Sequence, residues 1–245
     1  MSSLPRDFLV ARAVLELGSR PDGFDALELL HDLTAYAVRL VRVRSAGVTV
    51  LDENGDVDYV TASDEVCARL EEDQLDLDEG PCLDATRSGS ILPPVTLHPA
   101  GPAFARWPRF APRAAAAGFT SVAAVPLRTP RQSLGAVNLL QTGRATISFA
   151  DLQVAQLLAD AAGTRLHHRR SLLERDEVIA QLTGALQSRI VIEQAKGILA
   201  ARLGTDVEDA FGRLRAHART RQQKLTHLAR QITQGQIPAD LDRTG

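Results

Sequence analysis

The residues best suited to chemistry in this 245-residue sequence are basic side chains in its last third. Arg189 and Lys196 are seven positions apart, Arg215 and Arg219 are four apart, and Lys224 follows them. Spacings of four and seven place side chains on one face of a helix, so each pair is predicted to share a face. Such a cluster can follow a phosphate backbone, and arginine planes can stack on unpaired bases in RNA loops.

The charge of the chain is divided unevenly along its length. Residues 181–236 carry nine basic and four acidic side chains, net +5, whereas residues 1–180 carry 18 basic and 24 acidic ones, net −6. A basic end on an acidic body is typical of a nucleic-acid reader joined to a second module. The alternative is a solvated helical surface, with Arg189 paired to Glu193, and charge alone leaves both interpretations open.

A second group of residues could line a small-molecule site upstream. Its candidate members are Cys82, Phe104, Trp107, Phe110 and Asn138. The alternative is that the aromatic residues only pack a core. Cys82 could also form a redox pair with Cys67, although two unrelated thiols are the commoner case.

Patterns for catalysis or metal binding are missing from the sequence. The last third has no cysteine and no nucleophile–base pair, and the chain has no phosphate-cradling glycine loop. His98 is isolated, and the adjacent His167 and His168 would point in different directions on a helix. We therefore expect no enzyme activity and no metal site, and the sequence leaves any cofactor unknown.

Helices and short strands must position the upstream group. Residues 24–43 have the periodicity of an amphipathic helix, and Asn54-Gly55 predicts a tight hairpin between two strands. Further helices are expected at 64–75, 82–87 and 108–118, and further strands at 121–128 and 134–141. Six prolines between 93 and 112 predict a long irregular segment. The predicted fold class is α+β, with an antiparallel sheet and flanking helices.

The basic residues are predicted to lie on a bundle of three helices. Gly204 can end the first helix in a left-handed conformation, and Thr205 with Glu208 can form a capping box that opens the second. A third amphipathic helix covers 225–234 and stops at Gly235. Three short amphipathic helices can bury a common core.

A long helix is expected to connect the two parts. Ser148 and Asp151 predict the capping box that opens it. A short heptad-like seam follows, made of Leu172, Ile179, Leu182 and Leu186, with Arg175 and Arg189 at its other core positions. Because such a seam needs a partner, we expect a homodimer. The sequence alone does not decide whether the seam forms a regular coiled coil.

Composition places the chain among ordinary globular proteins. It is 44% hydrophobic and 24% charged, and its length suits one large or two modest domains. Two cysteines favour a reducing compartment, and no uncharged run approaches 18 apolar residues. We expect a cytoplasmic protein without a membrane partner.

Residues 188–235 resemble the ANTAR domain, a three-helix RNA-binding module of bacterial antitermination regulators. The matching residues are Arg189, Ile192, Glu193, Ala195 to Gly197, Leu199, Ala210, Phe211, Leu214, Arg215, Ala218, Arg219, Lys224 and Leu225. The resemblance implies binding to paired hexaloop hairpins in nascent transcripts, which favours antitermination over termination. Ala195 and Gly197 would let backbone or RNA approach the first helix closely, beside the contacts of the five basic residues.

Residues 24–168 resemble a GAF sensor domain. The resemblance is carried by DEGPCLDA at 78–85, RWPRFAPRAAAAG at 106–118 and the two late strands. It implies a small-molecule effector, and the combination with ANTAR is typical of actinobacterial regulators. The expected division is an N-terminal segment 1–23, a sensor 24–168, a helical linker 169–180, an RNA-binding domain 181–236 and a tail 237–245.

Two other functions stay open at this stage. The first is a ligand-sensing regulator that binds DNA, since helix, turn and helix also describe a DNA-binding motif. The second is a non-catalytic dimeric module for protein interaction. Binding of RNA by the C-terminal helices would separate the expected function from both.

Overall fold

The computed structural model describes residues 5–52, 54–129 and 132–241. It forms two compact units, Met1–Ser171 and Leu172–Gly245, and helix α7 begins in the first and ends in the second. The helices in this described part are α1 (Arg6–Gly18), α2 (Ala26–Tyr36), α3 (Glu65–Leu77), α4 (Pro81–Ser88), α5 (Pro102–Arg106), α6 (Phe110–Ala116), α7 (Phe149–Leu203), α8 (Val207–Thr220) and α9 (Leu225–Thr233). The strands are β1 (Ser45–Leu51), β2 (Val57–Ala62), β3 (Leu92–Thr96), β4 (Ser121–Arg128) and β5 (Ser133–Gln141).

The five strands form one antiparallel sheet in the order β2-β1-β5-β4-β3. In the central strand β5, Val137 pairs with Val48 of β1 on one side and with Val125 of β4 on the other. Successive side chains of a strand point to opposite faces, so each central strand contributes to two cores. The predicted α+β class and the hairpin at Asn54-Gly55 are confirmed, with Gly55 at a positive φ of 87°.

One face of the sheet packs against α1, α2 and the first part of α7. The core on this side includes Leu17, Leu30, Leu33, Val48, Val125, Leu139 and Leu158. Helix α1 lies within the segment 1–23 that the sequence analysis placed before the sensor, yet Val10, Ala13 and Leu17 belong to this core. The sheet therefore depends on α1 for part of its apolar cover.

The opposite face packs against α3, α4 and α6. Its core includes Leu70, Leu92, Trp107, Phe110, Val122, Ala124 and Leu140. The expected irregular segment 93–112 contains most of β3 and all of α5, which corrects that expectation. Pro93 and Pro94 are tolerated in β3 because it is an edge strand of the sheet.

Capping side chains set the helix boundaries. Ser148 and Asp151 form the predicted capping box at the start of α7, each side chain accepting a hydrogen bond from the other's backbone N–H, at 3.1 and 3.2 Å. Before α8, the Asp206 side chain accepts from the Asp209 N–H at 2.8 Å. The N-cap of α8 is therefore Asp206 and not Thr205. The carboxylate of Asp206, one residue further along the chain, caps the first turn of the helix.

The second unit is the predicted three-helix bundle. The C-terminal part of α7 packs with α8 and α9. The core between them includes Leu199, Leu203, Ala210, Leu214, Leu228, Ala229 and Ile232. Gly204 separates α7 from α8 with a φ of 63°, as expected for a left-handed helix end. From the expected tail 237–245, Leu241 is buried against this core, and residues 242–245 lie outside the described part.

Gly135 of β5 marks a point where the sheet leaves no room for a side chain. A Cβ there would lie 2.0 Å from the Thr49 carbonyl oxygen of β1. Gly135→Ala is expected to lower the free energy of unfolding of the first unit by about 2 kcal/mol, because the strands must shift apart. Chemical unfolding followed by fluorescence of Trp107, the only tryptophan, measures this loss. Gly184→Ala on α7, where the new Cβ meets no atom within 4 Å, is the control, and equal losses would contradict the prediction.

Candidate functional site

The small residues of the bundle divide between its core and its surface. Ala195 is fully buried among the helices, so of the two expected neighbours, backbone or RNA, RNA does not reach it. Its small side chain instead lets the helices of the bundle pack together. Gly197 is exposed, and a Cβ added there would meet no atom within 4 Å. Only Gly197 therefore keeps the predicted surface position.

Lys196 is held by neighbouring side chains rather than extended into solvent. Its Nζ lies 3.0 Å from a carboxylate oxygen of Glu193 and 4.8 Å from the centre of the Phe211 ring. The side chain is only 9% exposed. Glu193 thus pairs with Lys196 and not with Arg189, the partner considered from the sequence. A phosphate at Lys196 would have to compete with this carboxylate.

Phe211 joins two of the predicted basic residues. Arg215 places its guanidinium carbon 5.5 Å from the Phe211 ring centre, and Lys196 approaches the same ring. Cations are attracted to an aromatic ring, so the half-buried Phe211 fixes the positions of both. From the sequence, Phe211 was named only among the residues that match the ANTAR domain. Its contact with Arg215 could have been predicted from their spacing of four residues, which places both side chains on one helix face.

A shallow cavity lies at the corner between α8 and α9. It measures about 290 Å³ and is lined by Arg215, Ala218, Arg219, Gln222, Gln223 and Leu225. Lys224, which directly precedes α9, is exposed beside it. The structure therefore brings Arg215 and Arg219 together with two amide side chains that the sequence analysis did not select. Arg189 is exposed on α7 and does not line this cavity.

The predicted effector residues of the first unit fill space rather than surround it. Cys82, Trp107, Phe110 and Asn138 are each at most 1% exposed, and Phe104 is half-buried. Trp107 and Phe110 meet edge to face, with ring centres 6.2 Å apart, and the Trp107 Nε1 donates to Asp84 at 3.0 Å. Four of the five residues are therefore in the core, as the alternative interpretation of the aromatic residues stated.

A buried carboxylate occupies the middle of this sheet face. The Glu71 carboxylate accepts a hydrogen bond from Asn138 Nδ2 at 2.7 Å and another from Thr49 Oγ1 at 3.0 Å. It lies over Gly47, where a Cβ would come within 2.3 Å of Glu71 Oε1. Glu71 was not among the candidate residues from the sequence, although it shares the spacing of one helix face with Cys67, Leu70 and Gln74. That spacing was the signal available.

Burial controls the protonation of this cluster. It raises the pKa of the Glu71 carboxyl to about 7, against the lowering effect of the hydrogen bonds from Asn138 and Thr49. Burial also raises the pKa of the Cys67 and Cys82 thiols well above the ordinary cysteine value. Both cysteines are free, and protonated thiols are poor nucleophiles. This environment does not favour the redox pair considered from the sequence.

The first unit has larger openings elsewhere, and two of them border helices that pack on the sheet. One, of about 420 Å³, lies between the β1–β2 hairpin, α3 and α4, and its lining includes Leu51, Val57, Leu75 and Arg87. The other, of about 600 Å³, is a groove between α1 and α7 that includes Val14, Leu157 and Arg165. None of the five predicted effector residues lines either opening. Asn138 Oδ1 is nevertheless buried without a hydrogen-bond partner on the α3 side of the sheet.

Residues 5–52, 54–129 and 132–241 contain neither a metal-binding cluster nor a membrane-spanning helix. Within these ranges, no group of three or more His, Cys, Asp or Glu side chains could hold a metal ion. In the same part of the chain, no helix is both long enough and apolar enough to cross a bilayer.

Comparison with known proteins adds two domain matches. A GAF domain model matches residues 13–167, and an ANTAR domain model matches residues 180–232. Both resemblances identified from the sequence are confirmed. No curated protein matches the chain.

Several solved structures are similar to this chain. The GAF domain of a phosphoenolpyruvate-protein phosphotransferase from Coxiella burnetii has a TM-score of 0.50 and 12% identity, covering 68% of this chain and 95% of that one. The corresponding domain from Acinetobacter has a TM-score of 0.47 and 14% identity, covering 70% of this chain and 97% of that one. A free methionine-R-sulfoxide reductase from Neisseria meningitidis has a TM-score of 0.48 and 15% identity, covering 70% of this chain and 96% of that one. At 12% identity and a TM-score of 0.50, the likeness to the domain from Coxiella burnetii concerns the fold alone.

Proposed function

Because the chain belongs to the GAF domain family and carries an ANTAR domain after it, we propose that it is a signal-responsive regulator that binds RNA hairpins and promotes transcription antitermination. The observation that carries the proposal is the α8–α9 cavity, where Arg215 and Arg219 lie together beside exposed Lys224. A nascent transcript is made in the cytoplasm of a bacterium, and we place the protein there. The proposed role is regulatory and needs no catalytic step.

The shape of the basic surface favours RNA over duplex DNA. A DNA-binding helix lies along the major groove and contacts base edges with one face. Here the cations gather around a concave corner between two helices, which suits an unstacked base of a loop better than a continuous groove. Arg215 and Arg219 are one helical turn apart and can reach adjacent backbone or base positions.

The first unit is proposed to sense a small molecule of unknown identity. Support comes from the α3 side of the sheet, where Asn138 Oδ1 lacks a partner, and from the 420 Å³ opening between the hairpin, α3 and α4. An effector acts only if it binds one arrangement of the protein better than another. Since α7 begins in this unit and ends in the bundle, a change in its packing is the simplest route for the signal.

A second copy of the chain is the proposed partner of α7. Ile179, Leu182 and Leu186 are 59%, 66% and 60% exposed, although their side chains are strongly apolar. Their spacing of three and four residues forms one stripe on the helix, and the same stripe on a second copy would cover it. A dimer presents two RNA-binding bundles, which fits the paired hairpins implied for this domain type.

Loss of one cation from the cavity is expected to weaken RNA binding in a salt-dependent way. Arg219→Gln should reduce the slope of log affinity against log salt by about one unit if Arg219 contacts a phosphate. If it reads a base, the loss is about 1–3 kcal/mol of binding free energy together with relaxed sequence preference. Gel shifts with a two-hairpin leader RNA across a salt series measure both quantities.

The control variant for this experiment is Arg230→Gln. Arg230 is exposed in the last turn of α9 and does not line the cavity. The variant therefore removes one positive charge, as Arg219→Gln does, but from outside the cavity. Equal affinity of the wild-type protein for the RNA and for duplex DNA of matched length would favour a DNA-binding regulator. If the protein binds neither the RNA nor the DNA, the result would favour a bundle that serves protein interaction.

A further inference from the structure

We propose that the cavity at the α8–α9 corner receives one unpaired purine of the RNA loop and that Gln222 and Gln223 read its edge. This inference rests on the proposed RNA-binding function and specifies the recognition site within it. The volume of about 290 Å³ is just below the range of small-ligand pockets, which begins near 300 Å³. An opening of this size admits a single heterocyclic base and excludes a base-paired duplex.

The lining of the cavity has the chemistry of a base site rather than of a simple phosphate site. Ala218 and Leu225 supply an apolar surface for the flat ring, and none of the lining residues is acidic. The amides of Gln222 and Gln223 carry donors and acceptors, which suit the N7 and exocyclic group of a purine. The amides can also donate to phosphate oxygens, but a cavity that bound only phosphate would gain nothing from an apolar floor.

The backbone holds these amides in place. Gln222 has a positive φ of 50°, a conformation that non-glycine residues adopt rarely. The turn is fixed by hydrogen bonds from the Gln222 N–H to the Arg219 carbonyl at 3.1 Å and from the Gln223 N–H to the Ala218 carbonyl at 3.0 Å. The backbone of both residues is therefore held in a defined turn, and their side chains line the cavity from it.

The guanidinium groups complete the site from the α8 side. Arg215 is already placed by its contact with the Phe211 ring, 5.5 Å away, and Arg219 follows one turn later. A guanidinium plane can stack on the face of any base. In this arrangement the arginines supply attraction to RNA in general, while the glutamines supply the preference for a purine.

The test selects hairpins from an RNA pool with randomised six-nucleotide loops, using the full-length protein. We expect one loop position to be enriched in purine, and a pyrimidine there to weaken binding by about 5- to 150-fold. The Gln222→Ala, Gln223→Ala double variant should bind the purine and pyrimidine hairpins with nearly equal affinity. Its salt dependence should match that of the wild-type protein, because no charge is removed.

Gln234→Ala is the matched control, since Gln234 is exposed after α9 and does not line the cavity. Circular dichroism melting checks that the double variant keeps a folded bundle. If the selected hairpins bind but the double variant keeps the full purine preference, the inference is overturned and RNA binding stands. If the wild-type protein enriches no hairpin, the proposed function itself fails, and this inference fails with it.

Discussion

Glu71→Gln is expected to raise the free energy of unfolding of the first unit at pH 8 by about 3 kcal/mol and to change it little at pH 4. The folded protein raises the pKa of the Glu71 carboxyl from 4.5 to about 7, with burial as the main cause. At pH 8 the wild-type chain must therefore hold a buried charge whose only described hydrogen-bond donors, Thr49 and Asn138, are neutral. Glutamine has the same shape and carries no charge.

The direction of the pH dependence follows from the raised pKa. Below pH 4.5 Glu71 is protonated in both the folded and the unfolded chain, so its contribution to stability is fully present. Between pH 4.5 and about 7 only the folded state keeps the proton, and stability falls as the pH rises. Above pH 7 both states are ionised, and the contribution is lost.

Glutamine can also preserve the local hydrogen bonds. Its Oε1 can still accept from Asn138 Nδ2, and its Nε2 can donate to the Thr49 hydroxyl oxygen, which is both donor and acceptor. The measurement is chemical unfolding between pH 4 and 9, followed by Trp107 fluorescence. Glu72→Gln, at the exposed neighbouring position, is the control for removing one negative charge. The prediction is contradicted if wild type and Glu71→Gln show the same fall in stability between pH 4.5 and 7.

Local sequence signals were sufficient for elements whose structure is decided by nearby residues. The Asn54-Gly55 turn, the Ser148–Asp151 capping box and the left-handed Gly204 each depend on a few adjacent positions, and each is found in the structure. The three-helix bundle was predictable for a similar reason, because each helix shows its own apolar stripe. Strand β3 was missed because its prolines argue against a strand, and only its edge position permits them.

The site was harder to predict, because exposure depends on which surface packs against a residue. Lys196 and Arg219 count equally in a sum of charges, yet Lys196 is enclosed by Glu193 and Phe211 while Arg219 lines an open cavity. Ala195 and Gly197 are both small, and only their positions around α7 make one buried and the other exposed. These differences arise when α8 packs on α7, a contact between residues distant in sequence.

The exposed stripe on α7 leads to the prediction with the largest expected effect on RNA binding. The Leu182→Glu, Leu186→Glu double variant is expected to be a monomer, because it places two like charges at the apolar contact proposed between copies. Affinity for a two-hairpin RNA should then fall by about 10²- to 10⁴-fold, since the second hairpin no longer binds as an intramolecular event. Affinity for a single hairpin should remain unchanged, because the bundle core and the α8–α9 cavity lack both leucines.

Light scattering and gel shifts with one-hairpin and two-hairpin RNAs distinguish this avidity effect from a loss of folding. The Ala180→Glu, Gln187→Glu double variant is the control, since it adds the same charge at exposed positions of α7 outside the seam. It should remain dimeric and keep the affinity gained from the second hairpin. If the seam variant also keeps that gain, or if the wild-type protein is a monomer both with and without RNA, then α7 only connects the two units. In that case each bundle binds its hairpin independently, and an effector would have to act on a single bundle rather than on the pairing of two chains.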